Sequence, residues 1–346
     1  MSALVLFNNK GGVGKTTLTF NIAHMMARCG LRTVVLDYDP QCNISSIFLS
    51  EDELTALWEH DGLGVSKGGG GRTVVACLDK VRRGTGTVAD PALHRVADNL
   101  WLLPGHLSLS RFESKLAIHW AQSTAQDNEE AVGVVTSLDQ LSDKAALTVD
   151  ADIILVDVGP SLGALNRSAL LSCDFLIVPL APDLFSQQGL KNVGPTLKQW
   201  RNDWHTARDR GDGAVIGGEF RPIGYILQQH LVRADQPAQA YLRWASQIPQ
   251  IYHEFVATDE SLSAEARENL TLATDPSRIA LLRHYASLIP MAQQARKPLF
   301  MLSRADGIGS RGYLVERAAE DFRAMVEEIL KRMGGRDPAV PTDSPP

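Results

Sequence analysis

Lys10-Gly11-Gly12-Val13-Gly14-Lys15-Thr16-Thr17, preceded by the apolar run Leu4–Phe7, is the stretch whose reading decides the fold. A nucleotide's phosphate tail is a dense negative charge. A backbone that binds it must bring several N–H groups together, and side chains obstruct that approach. Gly11, Gly12 and Gly14 remove them. The helix expected to follow turns its positive end toward the same phosphates. Lys15 adds a point charge, and the Thr16 hydroxyl is placed for Mg²⁺. Leu4–Phe7 reads as a buried strand; Leu18, Ile22, Met25, Met26 and Cys29 recur at helical spacing, with Gly30 placed to end the helix. Thr33–Leu36 is the next strand, ending at Asp37. This is a strand–loop–helix–strand unit, the opening of a parallel α/β sheet.

The pattern recurs in Asp152–Val156, Phe175–Leu180 and Ile223–Leu227, apolar runs separated by helical stretches. The fold class expected is therefore α/β, a mostly parallel twisted sheet with helices on both faces. Residues 61–72 hold six glycines and read as a flexible insertion. Residues 334–346, with four prolines and two glycines, read as a frayed tail. One nucleotide-binding domain over 1–333 is the organisation expected. Its last helix runs from about Tyr313 to Met333 with an apolar stripe of Phe322, Met325, Val326, Ile329, Leu330 and Met333. The acidic opposite face of that helix favours core packing over membrane binding.

Composition sets limits. At 346 residues, 44% hydrophobic and net charge −6, the chain is an ordinary globular protein whose overall charge does not advertise nucleic acid. Cys29, Cys42, Cys77 and Cys173 form neither a C-x-x-C pair nor a zinc pattern, so inert thiols in a reducing compartment are expected. Neither a secretory leader nor a run of membrane-spanning length is read in the sequence, and a cytoplasmic location is expected.

Three carboxylates complete the chemistry. Asp37 and Asp39 follow the second strand, where ligands bind in open α/β sheets. Asp157 follows Ile153–Val156, the place of a Mg²⁺-holding aspartate. The general pattern G-x-x-x-x-G-K-[ST] would place a glycine at Asn9. Lys10 makes up that deficit: a lysine ahead of G-G-x-G-K-T resembles the deviant Walker A loop of the ParA/MinD family of P-loop ATPases. Asp37-Tyr38-Asp39-Pro40-Gln41-Cys42-Asn43 is similar to that family's D-x-D-P-Q-x-N segment. Val158-Gly159-Pro160-Ser161-Leu162-Gly163 is similar to its switch, with Val158-Gly159 in place of Cys-Pro and Ser168 in place of an asparagine.

The resemblance spans nearly the whole chain, with additions near 51–95 and 230–275. It implies an ATPase that converts ATP to ADP and phosphate, with ATP and Mg²⁺ as cofactors. Lys10, Gly11, Gly12, Val13, Gly14, Lys15, Thr16 and Thr17 would bind the nucleotide, and Pro290 would lie near the base. Thr16, Asp37 and Asp157 would serve the metal, and Asp39 the attacking water. Lys10 would reach a partner's phosphates in an ATP-sandwiched homodimer, acting with an activating partner protein in DNA partition or cargo positioning. Non-specific DNA is a further partner the resemblance implies. Residues 278–336 carry eleven Lys/Arg against six Asp/Glu, an excess of five positive charges that leaves −11 for the remainder. Arg283, Arg296, Lys297, Arg304, Arg311 and Arg323 are the candidate contacts. A MinD-like membrane regulator, and a P-loop ligase or kinase of small molecules, are the alternatives.

Overall fold

In the computed structural model, residues 1–62, 70–123, 128–209, 217–229, 243–257 and 263–334 are described. Most of the glycine-rich stretch 61–72 and all but the first residue of 334–346 lie outside them.

Eight strands form one sheet: β1 (Ser2–Leu6), β2 (Thr33–Asp37), β3 (His94–Ala97), β4 (Leu100–Leu103), β5 (Ile153–Asp157), β6 (Phe175–Leu180), β7 (Arg221–Gln229) and β8 (Arg278–Arg283). Their spatial order is β3-β4-β2-β5-β1-β6-β7-β8. Every neighbouring pair is parallel except β3 with β4. The sheet is thus mostly parallel, as expected, and carries one antiparallel pair at its edge.

The central strands are apolar on both faces because both faces are covered. Period-two alternation divides their side chains between two cores. Ala3, Val5, Ile154, Val156, Leu176 and Val178 point to one. Leu4, Leu6, Ile153, Leu155, Phe175 and Ile177 point to the other. Residues of the Ser110–Gln122, Ser137–Val149, Ala164–Leu171 and Leu184–Asp209 helices fill the first layer. The Lys15–Arg28 and Gly312–Arg332 helices fill the second through Leu18, Ile22, Met25, Phe322, Met325, Val326, Ile329 and Leu330. The stripe of the last helix is therefore core.

β1 lies between β5 and β6, so the chain leaves β1 toward β2 on one side while β6 continues on the other. Such a reversal opens a crevice at the carboxyl ends of the strands. The glycine loop leaves β1 there. The parallel register sets Asp37 beside Asp157 at the same edge.

Candidate functional site

The loop after β1 is shaped by its glycines. Gly12 and Gly14 have φ of +75° and +73°, left-handed conformations that side chains disfavour. Gly14 leads directly into the Lys15–Arg28 helix. Among the described residues, none accepts a hydrogen bond from the backbone N–H of Gly11, Gly12, Val13 or Gly14. The first N–H groups of the helix have no partner within it either. Clustered donors of this kind form an anion cradle.

Asn8 ties the loop down from within. Its side-chain amide donates to the Pro179 carbonyl at 2.8 Å, and its Oδ1 accepts from the Lys10 N–H at 2.9 Å. Lys15 curls over the loop, donating from Nζ to the carbonyls of Asn8 (2.9 Å) and Lys10 (3.2 Å). Burial pulls the Lys15 ammonium below its ordinary value, against the opposing attraction of Asp157 and Asp39. A phosphate would restore what burial removes.

Asp157 is fully buried and accepts from the Thr16 hydroxyl at 3.1 Å. Burial, then repulsion from Asp37 and Asp39, drives its carboxyl well above the usual carboxylate range. Asp37 is pushed up to about 7, chiefly by burial, although hydrogen bonds from Ser45 oppose the rise. Its Oδ2 accepts from both the N–H and the hydroxyl of Ser45, and its Oδ1 from the Asp39 N–H. Ser45 Oγ in turn accepts from the Gly105 N–H. Asp37 thereby also ties the end of β2 to the Asn43–Phe48 helix and to the loop after β4.

Asp39 is 4% exposed, its Oδ1 accepting from the Gln41 N–H at 2.9 Å. The switch glycine Gly159 is close by: a Cβ there would stand 3.1 Å from Asp39 Oδ1. The unusual Val158-Gly159 pair thus has a steric reason, since glycine lets the switch approach the carboxylate. Asn166 shapes the same loop, donating from Nδ2 to the Gly159 and Ser161 carbonyls at 2.7 Å each. Ser168 is buried and accepts from the Trp120 indole at 3.0 Å.

The site's donor set suits Mg²⁺. Among the described residues no group of three or more His, Cys, Asp or Glu is arranged to hold a metal alone. Thr16 and Asp157 offer a hydroxyl and a carboxylate at one spot, leaving other positions to phosphate and water, the mode this ion favours.

Lys10 forms an ion pair with Asp183 of its own chain, and its Nζ lies 5.8 Å from the centre of the Phe185 ring. Burial raises the Asp183 carboxyl, but hydrogen bonds from Lys10 and Ser186 outweigh it and hold the group below its ordinary value. Phe185 is 71% exposed, with Leu184 and Leu162 also exposed. Thr17 lines a small apolar cleft with Phe20, Ile289, Ala292 and Leu299. Pro290 is exposed, at the start of the Ile289–Ala295 helix, and its neighbours rather than Pro290 itself line the cleft.

The structure thus gathers Lys15, Thr16, Asp37, Asp39 and Asp157 around one loop, sets Lys10 at its flank and leaves Pro290 at the rim. Asp183, Ser45 and Gln228 are site neighbours that are not among the site residues expected from the sequence. Gln228 and Asp183 meet partners 215 and 173 residues away, whereas Ser45 meets Asp37 only eight residues back.

Comparison with known proteins accords with this geometry. Residues 1–207 match the AAA domain family. The chromosome-partitioning ATPase Soj of Treponema pallidum is 29% identical over 217 residues, covering 63% of this chain and 69% of that protein. A protein from Corynebacterium diphtheriae has a similar fold, with TM-score 0.65, 23% identity, and 96% of this chain and 98% of that chain covered. A plasmid partition protein of Borrelia burgdorferi solved with AMPPNP gives TM-score 0.56 at 15% identity, covering 96% of this chain and 99% of that one. A fold with a glycine loop after β1, Lys10 ahead of Lys15, and carboxylates ending β2 and β5, together with these relatives, places the chain in the ParA/MinD family of P-loop ATPases.

Proposed function

We propose that this chain is a partition-type ATPase built as a single nucleotide-binding domain. It binds ATP with Mg²⁺ in the Lys10–Thr17 loop and hydrolyses it to ADP and phosphate. Two copies close face to face around the nucleotide, and the closed form acts in DNA partition or cargo positioning with an activating partner protein. The observation that carries the reading is the row of N–H groups from Gly11 to Gly14, none of which has an acceptor among the described residues, beside a buried Lys15.

Bound Mg²⁺ would neutralise phosphate charge as the bond to the transferred phosphoryl group breaks. Thr16 and Asp157 hold that position, with Asp37 behind them. Lys15 exchanges the carbonyls of Asn8 and Lys10 for phosphate oxygens. Asp39, already fixed by Gln41, orients the attacking water. The exposed Phe185 beside Lys10, with its exposed chain neighbour Leu184, supplies apolar surface for the second copy.

The membrane alternative has less support. The apolar stripe of the Gly312–Arg332 helix is spent in the core, and among the described residues no helix is long and apolar enough to cross a membrane.

The decisive experiment compares wild type with Lys15→Ala by nucleotide binding and by light scattering with and without ATP. Wild type should bind ATP and double in mass. The variant should lose at least about a hundredfold in affinity, as expected on removing a charge-assisted phosphate contact. Undiminished affinity refutes the assignment.

A further inference from the structure

Gln228 stands near the carboxyl end of β7, two places from β1 in the sheet. Its side-chain Nε2 donates to the Val13 carbonyl at 2.6 Å, across 215 residues of sequence. The same nitrogen lies 2.4 Å from where a Cβ on Gly14 would stand. The amide therefore occupies the space that the absent Gly14 side chain leaves open, and it holds the carbonyl just before it.

We infer that Gln228 is a positioning residue for phosphate binding, fixing the Val13–Gly14 peptide plane so that the Gly14 N–H faces the nucleotide. The inference rests on the nucleotide reading above. Its physical core is the planarity of the peptide bond. The Val13–Gly14 peptide is trans, so the Gly14 N–H points opposite to the Val13 carbonyl. A donor that holds the carbonyl toward β7 turns the N–H away from β7, toward the loop's interior. Glycine at positive φ has little intrinsic preference to keep that orientation. Gly14 N–H is one of the four donors with no acceptor among the described residues. A donor fixed before the ligand arrives contributes more affinity than one that must be ordered on binding.

Gly14 is then constrained twice. Its φ of +73° needs glycine, and so does the amide packed against its α-carbon. The conventional reading of this glycine as freedom for the turn covers only the first.

The test uses the full-length protein and measures ATP binding, KM and kcat for Gln228→Leu, Gln228→Glu and Lys15→Ala. Gln228→Leu keeps the bulk and loses the donor. Gln228→Glu keeps the length and sets a carboxylate against the carbonyl. Loss of one hydrogen bond predicts that ATP affinity weakens and KM rises about tenfold in the leucine variant. The glutamate variant should be weaker still. In both, kcat should stay within about twofold and the melting temperature of the nucleotide-free protein should fall by no more than the few degrees one lost hydrogen bond costs, the pattern of lost binding rather than lost chemistry. Should the leucine variant fold poorly, the glutamate variant carries the comparison. Unchanged affinity in both variants, or a fall in kcat at constant KM, overturns the inference. Lys15→Ala separates the two levels. If it still binds ATP, the site reading itself fails; if it loses ATP while the Gln228 variants do not, only the positioning role fails.

Discussion

Asp39 illustrates how a single carboxylate is prepared. It is nearly buried, pinned by the Gln41 N–H, and faced by a glycine on which a Cβ would stand 3.1 Å from its Oδ1. Asp39→Ala should bind ATP within about threefold of wild type yet lose at least about a hundredfold in turnover, the range typical of a group that positions a proton acceptor. Phosphate release against nucleotide affinity measures both, and wild-type turnover would remove Asp39 from that role. Asp37 carries a pH dependence. Its ordinary value near 3.8 is pushed up to about 7 by burial, so the folded protein holds a proton that the unfolded chain gives up. Its contribution to stability is complete below about pH 4 and is lost as pH rises through about 7. Melting of the nucleotide-free protein between pH 5 and 8 should therefore decline more steeply in wild type than in Asp37→Asn; equal slopes would contradict this.

The elements show which forces set the scaffold. The Gly312–Arg332 helix is held at one side by Phe322, Met325, Val326, Ile329 and Leu330 in the core. At its end, Arg332 donates to the carbonyls of Ile223 (2.8 Å), Ser277 and Arg278 (3.0 Å each), clamping β7 and β8. Phe322→Ala should cost about 3–5 kcal/mol by urea denaturation with little change in m-value, as buried aromatic truncations do. A loss below about 1 kcal/mol would place this helix outside the cooperative core. That helix was legible in the sequence because its stripe repeats at helical spacing over many turns. The strand–loop–helix opening and β5 were legible for the same reason: one period, cleanly punctuated. The edges were not. β3, His-Arg-Val-Ala, is short and has no apolar face. β8 was read only as part of a basic stretch, since Arg278 and Arg283 bound its apolar centre. β7 runs two residues further at each end than its apolar run, because pairing with β6 and β8 extends it past the hydrophobic segment. Within the site, Gly12, Gly14, Lys15 and Thr16 announced themselves by spacing. Gln228 and Asp183 act through contacts 215 and 173 residues away, which no local pattern encodes.

Over the whole molecule, charge is divided: the segment 278–336 is basic while the rest is acidic. Arg283, Arg296, Arg304 and Arg311 are exposed, whereas Lys297 is paired with Asp306 and Arg296 also donates to the Leu49 carbonyl. In the partition reading this surface meets DNA when two copies join. Binding of a random duplex, followed by anisotropy, should require ATP and weaken steeply with salt, with a log–log slope of about −0.9 for each phosphate contacted. Salt-insensitive binding would exclude phosphate contacts. In the same reading, the pairing of copies would have its own threshold in Lys10. In the free chain this residue is occupied by Asp183 and rests near Phe185. A second copy would then meet a population in which only the fraction with Lys10 released is competent, and the apparent affinity between copies would be the intrinsic one scaled by that fraction. Asp183 would thereby act as a competitor carried within each molecule. In the partition reading, a second copy would have to displace this internal rival before Lys10 could reach that copy.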